Sequence, residues 1–367
     1  MSEPNGVARH SGVGGDLGRR PTLVRRALPA LQVVVGLAVL ALLASRVDLR
    51  AVRDQLASAD PRHLAAATGV LLVSVLLQVW RWQALLRDRG VIVPTGALTR
   101  LILGAQSLNL VLPGSVGGDA YRAYAVRRQA AGLLPAAGVV LFERYAGFLA
   151  TVLVALPAVV VGGYLSEAPL AAVALIALFA ALTLPLVLAS NRRMLQPVER
   201  GLRRVAPRRI AAVLGSLVTR LQAALPSAPA ILVVITLSAA MKLCVALIIR
   251  LLAAGLGLDL GWADVLVFLP LHVAVSALPV TLNGLGVREA NMVVFFVQLG
   301  LTGEQAASLA FLHLVWLYAT GLPGAVFLFC WRPRLPEPGP EGLSESPQKP
   351  GWRAASGPER TTRNARG

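Results

Sequence analysis

The sequence predicts an all-α fold: a polytopic membrane helix bundle of about eight transmembrane helices with two broken or re-entrant elements. Three observations carry this. Of 367 residues, 56% are hydrophobic and only 14% charged, whereas soluble domains carry roughly a quarter charged residues. Mean hydropathy is +0.67. The net charge is nonetheless +17, from 35 basic and 18 acidic residues. A nucleic-acid binder would account for the charge but not for the apolar mass, and an ordinary soluble core accounts for neither. Uncharged spans joined by Arg-rich loops on one face account for both.

Residues 1–26 read as a disordered cytoplasmic tail rather than a secretory signal, because no small-residue cleavage site follows the apolar run. That run, Ala27 to Ser45, is long enough to cross a bilayer. Arg46 to Arg62 alternates charged and apolar residues, as in a short interfacial helix. Asp60-Pro61 then offers an N-cap followed by proline at the first helical position. The second span, Leu64 to Leu86, carries Trp80, Arg81 and Trp82, read as an interfacial anchor. Ala97 to Leu112 is apolar but interrupted by Arg100, Gln106, Ser107 and Asn109, and stops at Pro113-Gly114. It reads as a broken element facing the protein interior.

Leu133 to Tyr164 predicts a long span interrupted by Glu143-Arg144, and Pro169 to Leu188 another. Asn191 to Arg209 carries seven arginines against one acid, Glu199, and Ile210 to Leu225 looks amphipathic. Ile231–Leu256, Trp262–Leu278 and Gln305–Trp331 are further spans, the last introduced by Thr302 and Gln305 at capping-box spacing. Between them Pro279 to Gly300 is irregular yet must cross. The membrane domain is therefore 27–332, and 333–367, rich in Pro, Gly, Ser and charge, reads as a second disordered tail.

Charge sets the expected orientation. Twenty-seven basic residues fall on one side, including those of both tails, of 81–100, of 122–128 and of 191–209. The opposite side holds Arg46, Arg50, Arg53 and Arg62, while Arg144, Lys242, Arg250 and Arg288 lie within spans. The positive side is cytoplasmic, and both termini with it.

The two irregular regions are alike. Leu112-Pro113-Gly114-Ser115-Val116-Gly117-Gly118 precedes Arg122, and Leu278-Pro279-Val280-Thr281-Leu282-Asn283-Gly284-Leu285-Gly286 precedes Arg288-Glu289. Paired broken segments point to an internal repeat and to a transporter-type site, although shared kinks alone would produce the same pattern. Glu143-Arg144 lies about ten residues into its span, near mid-bilayer at about 1.5 Å per residue. Charges at that depth cost roughly 2.5–3.5 kcal/mol each, so they face inward and find partners. Neighbours on one helix point about 100° apart and pair poorly. Glu143 or Glu289 should therefore pair with an arginine of another helix, such as Arg122, Arg144 or Arg288.

The candidate substrate-binding residues are Asn109, Ser115, Gly117, Gly118, Asp119, Arg122, Glu143, Arg144, Asn283, Gly284, Gly286, Arg288 and Glu289. Two readings stay open: an ionic lock that fixes helix packing, and an anion site in which arginine forks and glycine N–H groups meet phosphate. Lys242 reads as a further cavity cation or as a core lysine. His272 and His313 read as hydrogen-bonded core residues.

Other chemistries drop out. Cys244 and Cys330 form no CxxC or Cys/His metal spacing, so no metal and no cofactor is expected. Ser115 lies in no Gly-x-Ser-x-Gly elbow and has no companion histidine, so no catalytic residue is assigned. No nucleotide-binding motif occurs.

Asn109-Leu-Val-Leu-Pro-Gly-Ser-Val-Gly-Gly-Asp-Ala-Tyr-Arg122, Glu143-Arg144 within a span, and Leu278-Pro279 with Asn283-Gly-Leu-Gly-Val-Arg-Glu289 together resemble one family. It is the lysylphosphatidylglycerol synthase transmembrane-region family, described as flippase-like and known as the membrane half of bacterial multiple peptide resistance factors. The resemblance covers roughly residues 27 to 331. It implies a multi-pass protein of the bacterial inner membrane, built from inverted repeats and re-entrant segments, that moves an aminoacylated anionic phospholipid between leaflets. Only 35 residues follow Arg332, too few for the soluble aminoacyl-transferase domain of the fused members, so lysylphosphatidylglycerol synthesis is not expected. The expected function is transport of a phosphate-headed lipid, an aminoacylated phospholipid or a polyprenyl-phosphate glycolipid. The alternative is a membrane-embedded enzyme or accessory subunit of lipid biosynthesis. Expected partners are anionic membrane lipids and a lipid-synthesis enzyme, and not nucleic acid.

Overall fold

A computed structural model describes residues 23–112, 116–130, 132–167, 169–190, 225–277, 281 and 284–330. Both terminal tails, the Arg-rich 191–209 segment and most of the amphipathic 210–225 stretch lie outside the described residues. Ser115 and Asn283 do as well.

Twelve helices and no strand occur among the described residues. They are α1 (Leu23–Ala44), α2 (Leu49–Ala57), α3 (Pro61–Asp88), α4 (Thr95–Val111), α5 (Val116–Val126), α6 (Leu133–Val161), α7 (Tyr164–Glu167) and α8 (Pro169–Ser190). After the gap follow α9 (Ala228–Gly255), α10 (Trp262–Ala277), α11 (Val287–Gln298) and α12 (Gly303–Cys330). The chain is thus an all-α polytopic bundle, and seven of the expected spans coincide with helices. The Pro279–Gly300 stretch, expected to cross, holds only α11, whose 12 residues are too few to cross alone and pack back on α10 and α12. By length and apolarity α3, α6, α9 and α12 suffice to cross a membrane, and α1 with α2 makes a fifth candidate bent by 89°. Leu72, Leu76, Val160, Leu170, Val173 and Leu232 point outward, an apolar exterior that suits lipid rather than water.

Helix starts follow local chemistry. Asp48 and Asp60 cap α2 and α3, accepting from the N–H groups of Arg50 and Arg62 at 2.8 and 2.9 Å, and Pro61 opens α3. At α12 the capping box closes in both directions. Thr302 Oγ1 accepts from the Gln305 N–H at 3.2 Å, and Gln305 Oε1 from the Thr302 N–H at 2.9 Å. Thr302→Ala is accordingly expected to cost about 1 kcal/mol, read as a small drop in thermal unfolding midpoint in detergent micelles.

The broken element expected after residue 97 is present: α4 stops at Val111, and α5 folds back on it. The polar residues of α4 bond locally or across helices. Gln106 donates to Gln78 Oε1 at 2.7 Å, and the Ser107 hydroxyl reaches the Gly321 carbonyl of α12. Glu143-Arg144 lies within α6, as expected, and the helix runs without a break to Val161. Buried ion pairs leave backbone helicity untouched when partners are supplied from elsewhere.

The internal repeat is visible in the helix lengths. α3, α4, α5 and α6 have 28, 17, 11 and 29 residues, and α9, α10, α11 and α12 have 28, 16, 12 and 28. Packing obeys the same exchange: α3 lies on α9, α4 on α12 and α10 on α6. The short helix of each set folds back on its predecessor, α5 on α4 and α11 on α10. Hydrogen bonds fix the sense. The Asp60 N–H donates to the Gly255 carbonyl at 2.9 Å, and the Ser227 N–H to Asp88 Oδ2 at 3.0 Å. The N-terminus of α3 therefore meets the C-terminus of α9 and the reverse, so the two sets run in opposite directions. One apolar core fills the first set around Trp82, Leu98 and Leu101, and another fills the second around Phe268, Leu252 and Phe296.

Candidate functional site

Four helices converge on Glu143, which is 2% exposed in the middle of α6. Its Oε1 is held by Arg81 of α3. Its Oε2 accepts from Trp82 Nε1 at 2.7 Å and from Arg122 Nη1 at 2.6 Å. Arg122, on α5, also reaches Asp119 Oδ1 one turn earlier at 2.5 Å. Arg144 takes the other oxygen of Asp119. Arg81 donates in addition to Ser238 Oγ of α9 at 3.0 Å, and the Arg122 guanidinium lies over the Trp82 ring, 5.1 Å from its centroid. Three guanidiniums thus share two carboxylates, an interior network with a surplus positive charge. Such pairing is what makes ionised groups tolerable at membrane depth.

The second repeat carries a simpler pair. Arg288 gives Nε and Nη2 to Glu289 Oε1 at 3.0 and 2.8 Å, and Glu289 Oε2 accepts from the Gly286 N–H at 2.6 Å. The carboxylate therefore caps α11 and neutralises its neighbour at once. The imidazoles of His272 and His313 stand close by, 5.6 Å apart edge to face. His272 is buried.

The structure thus gathers Asp119, Arg122, Glu143 and Arg144 into one cluster and sets Arg288 and Glu289 in another, rather than in a single cavity. Glu143 does meet an arginine from a different helix. Glu289 instead bonds to adjacent Arg288, against the expectation that neighbours pair poorly; the long guanidinium folds back along the first turn, where Glu289 is already committed to Gly286. Asn109 Oδ1 accepts from the Gly118 N–H at 2.8 Å. The Gly118 and Gly286 amides are therefore taken up by side chains of this chain.

Close packing requires glycine at two of the candidate positions. A Cβ at Gly118 would overlap the Ala105 carbonyl of α4. Gly286 sits at φ +80° against the Gly36 carbonyl of α1. Gly117 packs on Leu112, and Gly284 has φ +75°.

Sequence reasoning misplaced Arg81 and Trp82. Read as an interfacial anchor, they are 7% and 0% exposed, whereas Trp80 beside them is 51% exposed. The signal available was that α3 continues to Asp88, two turns past Arg81, which puts Arg81 inside the span. Arg81 and Arg122 therefore leave the count of loop charges on which the expected orientation rests. Ser238, one of two hydroxyl residues with Thr236 in an apolar run, carried no signal.

Next to the first cluster lies an apolar groove of about 600 Å³, lined by Ala120, Tyr121, Ala123, Tyr124, Leu133 and Ala137. One face of α5 thus carries Asp119 and Arg122 while another borders an apolar surface wide enough for hydrocarbon.

Comparison with known proteins agrees with this architecture. The chain is 36% identical over 108 residues to a glycosyltransferase, AglD, of Haloferax volcanii. The match covers 29% of this chain and 17% of that protein, so the chain spans less than a fifth of the relative's length. A family match is much broader, over residues 30–324. This multi-pass, helical chain belongs to the Lysylphosphatidylglycerol synthase TM region family of membrane proteins in lipid metabolism.

Proposed function

We propose that the protein carries a phosphate-headed lipid between the leaflets of a bacterial inner membrane, with both termini in the cytoplasm. The observation that carries this reading is the buried Arg81–Glu143–Arg122–Asp119–Arg144 network beside an apolar groove. An excess of guanidinium over carboxylate in the membrane interior favours an anionic headgroup, and the adjoining groove suits its acyl or prenyl chains. Arg144 is the most open member, its side chain 37% exposed against 7% for Arg122. It is therefore the arginine best placed to meet a headgroup entering from outside the cluster. Substrate candidates are an aminoacylated phospholipid and a polyprenyl-phosphate glycolipid.

Purified protein reconstituted into vesicles with fluorescent phosphatidylglycerol is expected to accelerate its exchange between leaflets. Arg144→Ala is expected to slow that exchange by about ten-fold or more, the loss of roughly one charge-assisted contact. Wild-type vesicles no faster than protein-free ones would reject transport.

A second reading, a membrane-embedded enzyme or accessory subunit of glycolipid synthesis, draws on the similarity to glycosyltransferase AglD. Asp119 and Glu143 are the carboxylates available to it as a general base, and both are held by arginines, which suits charge partners better than bases. A chemically altered lipid found by chromatography after incubation would favour this reading over transport.

A further inference from the structure

The arginines of the two clusters all hold a carboxylate: Arg81 and Arg122 on Glu143, Arg144 on Asp119, Arg288 on Glu289. Lys242 differs. It lies midway along α9, half-buried, and among the described residues it makes no hydrogen bond or ion pair. Its position is defined by its neighbours. Ser238 precedes it by four residues, so the two share one face of α9 a single turn apart. Ser238 is the hydroxyl that accepts from Arg81. Lys242 is therefore one helical turn from the first cluster.

On its other side α10 packs against α9, and His272 of α10 lies within electrostatic reach of Lys242, as Arg81 does. His272 in turn faces His313, and both feel the charge of Arg288. A row of cationic and imidazole groups thus runs from the first cluster to the second, with Lys242 at its centre and, among the described residues, no acid bonded to it. The buried His272 Nδ1 also has no partner. An ammonium within a span and without a counter-charge is unfavourable, and a bound anion would supply what the protein does not.

We infer that Lys242 is the docking residue for the phosphate of the lipid, at the seam between the two inverted repeats. Its ammonium offers three rotatable donors and a compact charge, and unlike the neighbouring guanidiniums it is not already engaged. A point charge on a mobile stem also holds a headgroup less rigidly than a bidentate arginine fork, which suits a ligand that must leave again. This inference rests on the reading of the protein as a carrier of phosphate-headed lipid.

Native mass spectrometry of the full chain in detergent tests it, with phosphatidylglycerol as the probe and diacylglycerol as the phosphate-free control. Wild type is expected to retain phosphatidylglycerol over diacylglycerol. Lys242→Gln should weaken that retention by about ten-fold or more, one lost ionic contact, with an unchanged or higher unfolding midpoint. Lys242→Arg should keep most of it. Inorganic phosphate should not displace the lipid; displacement would overturn the assignment of a lipid ligand. Undiminished binding by Lys242→Gln, with binding lost in Arg144→Ala, would overturn the role of Lys242 and leave lipid recognition by the arginine cluster standing. Equal retention of both lipids by wild type would instead reject the functional reading itself, and the docking role with it.

Discussion

Glu143→Gln is expected to lower stability by roughly 3–5 kcal/mol, the range for removing one partner of a buried ion pair. Glu143 is bound at once by Arg81, Arg122 and the Trp82 indole. Without its charge, three guanidiniums are left with Asp119 alone, in a place where water cannot solvate them. The unfolding midpoint in detergent should fall by on the order of 10 °C. Because the damage is excess positive charge, Glu143→Gln combined with Arg81→Met should recover part of the loss, as members of one network are not additive. A midpoint within about a degree of wild type would mean that the network contributes nothing to the fold. Transport measured on protein that still folds would then separate a packing lock from a headgroup site.

Gly286→Ala is the second large effect. The residue sits at φ +80°, which costs an alanine about 1–2 kcal/mol. Its new methyl would also overlap the Gly36 carbonyl of α1 and crowd Val39 Cβ at 3.2 Å. Since one obstacle is backbone, α1 must move as a body. A total of about 3 kcal/mol or more is expected. Gly284→Ala supplies the control: φ is +75°, but its nearest new neighbour is 3.5 Å away, so only the conformational cost applies. Equal midpoints for the two variants would show that α1 does not depend on this contact.

The architecture was legible because its determinants are local. Apolar runs of span length, Asp60-Pro61 and the Thr302/Gln305 pair mark helices wherever the chain later folds, and all three appear in the structure. The matching Leu-Pro breaks announced the repeat, but the antiparallel pairing of α3 and α9 is a tertiary fact that no local pattern contains. Within the candidate site, Glu143 and Arg144 stood out because charge inside an apolar stretch is costly, and Asp119 and Arg122 because they follow the glycine-rich break. Arg81 escaped for the opposite reason: next to the exposed Trp80 and near further arginines, it looked like the edge of a loop. Depth in a bundle depends on how far the helix continues, and α3 continues for another seven residues. The commitment of Glu289 to Gly286 was equally hidden, since it follows from the backbone conformation at Gly286 rather than from residue type.

The reciprocal joining of α3 and α9 at both ends limits which parts of the molecule can move. If either helix slid along the other by one turn, about 5.4 Å, the Asp60–Gly255 and Ser227–Asp88 contacts would break together. The Arg81–Ser238 bond halfway along would go with them. This pair therefore acts as an axle: whatever else in the bundle moves does so around it, while the axle itself keeps its register.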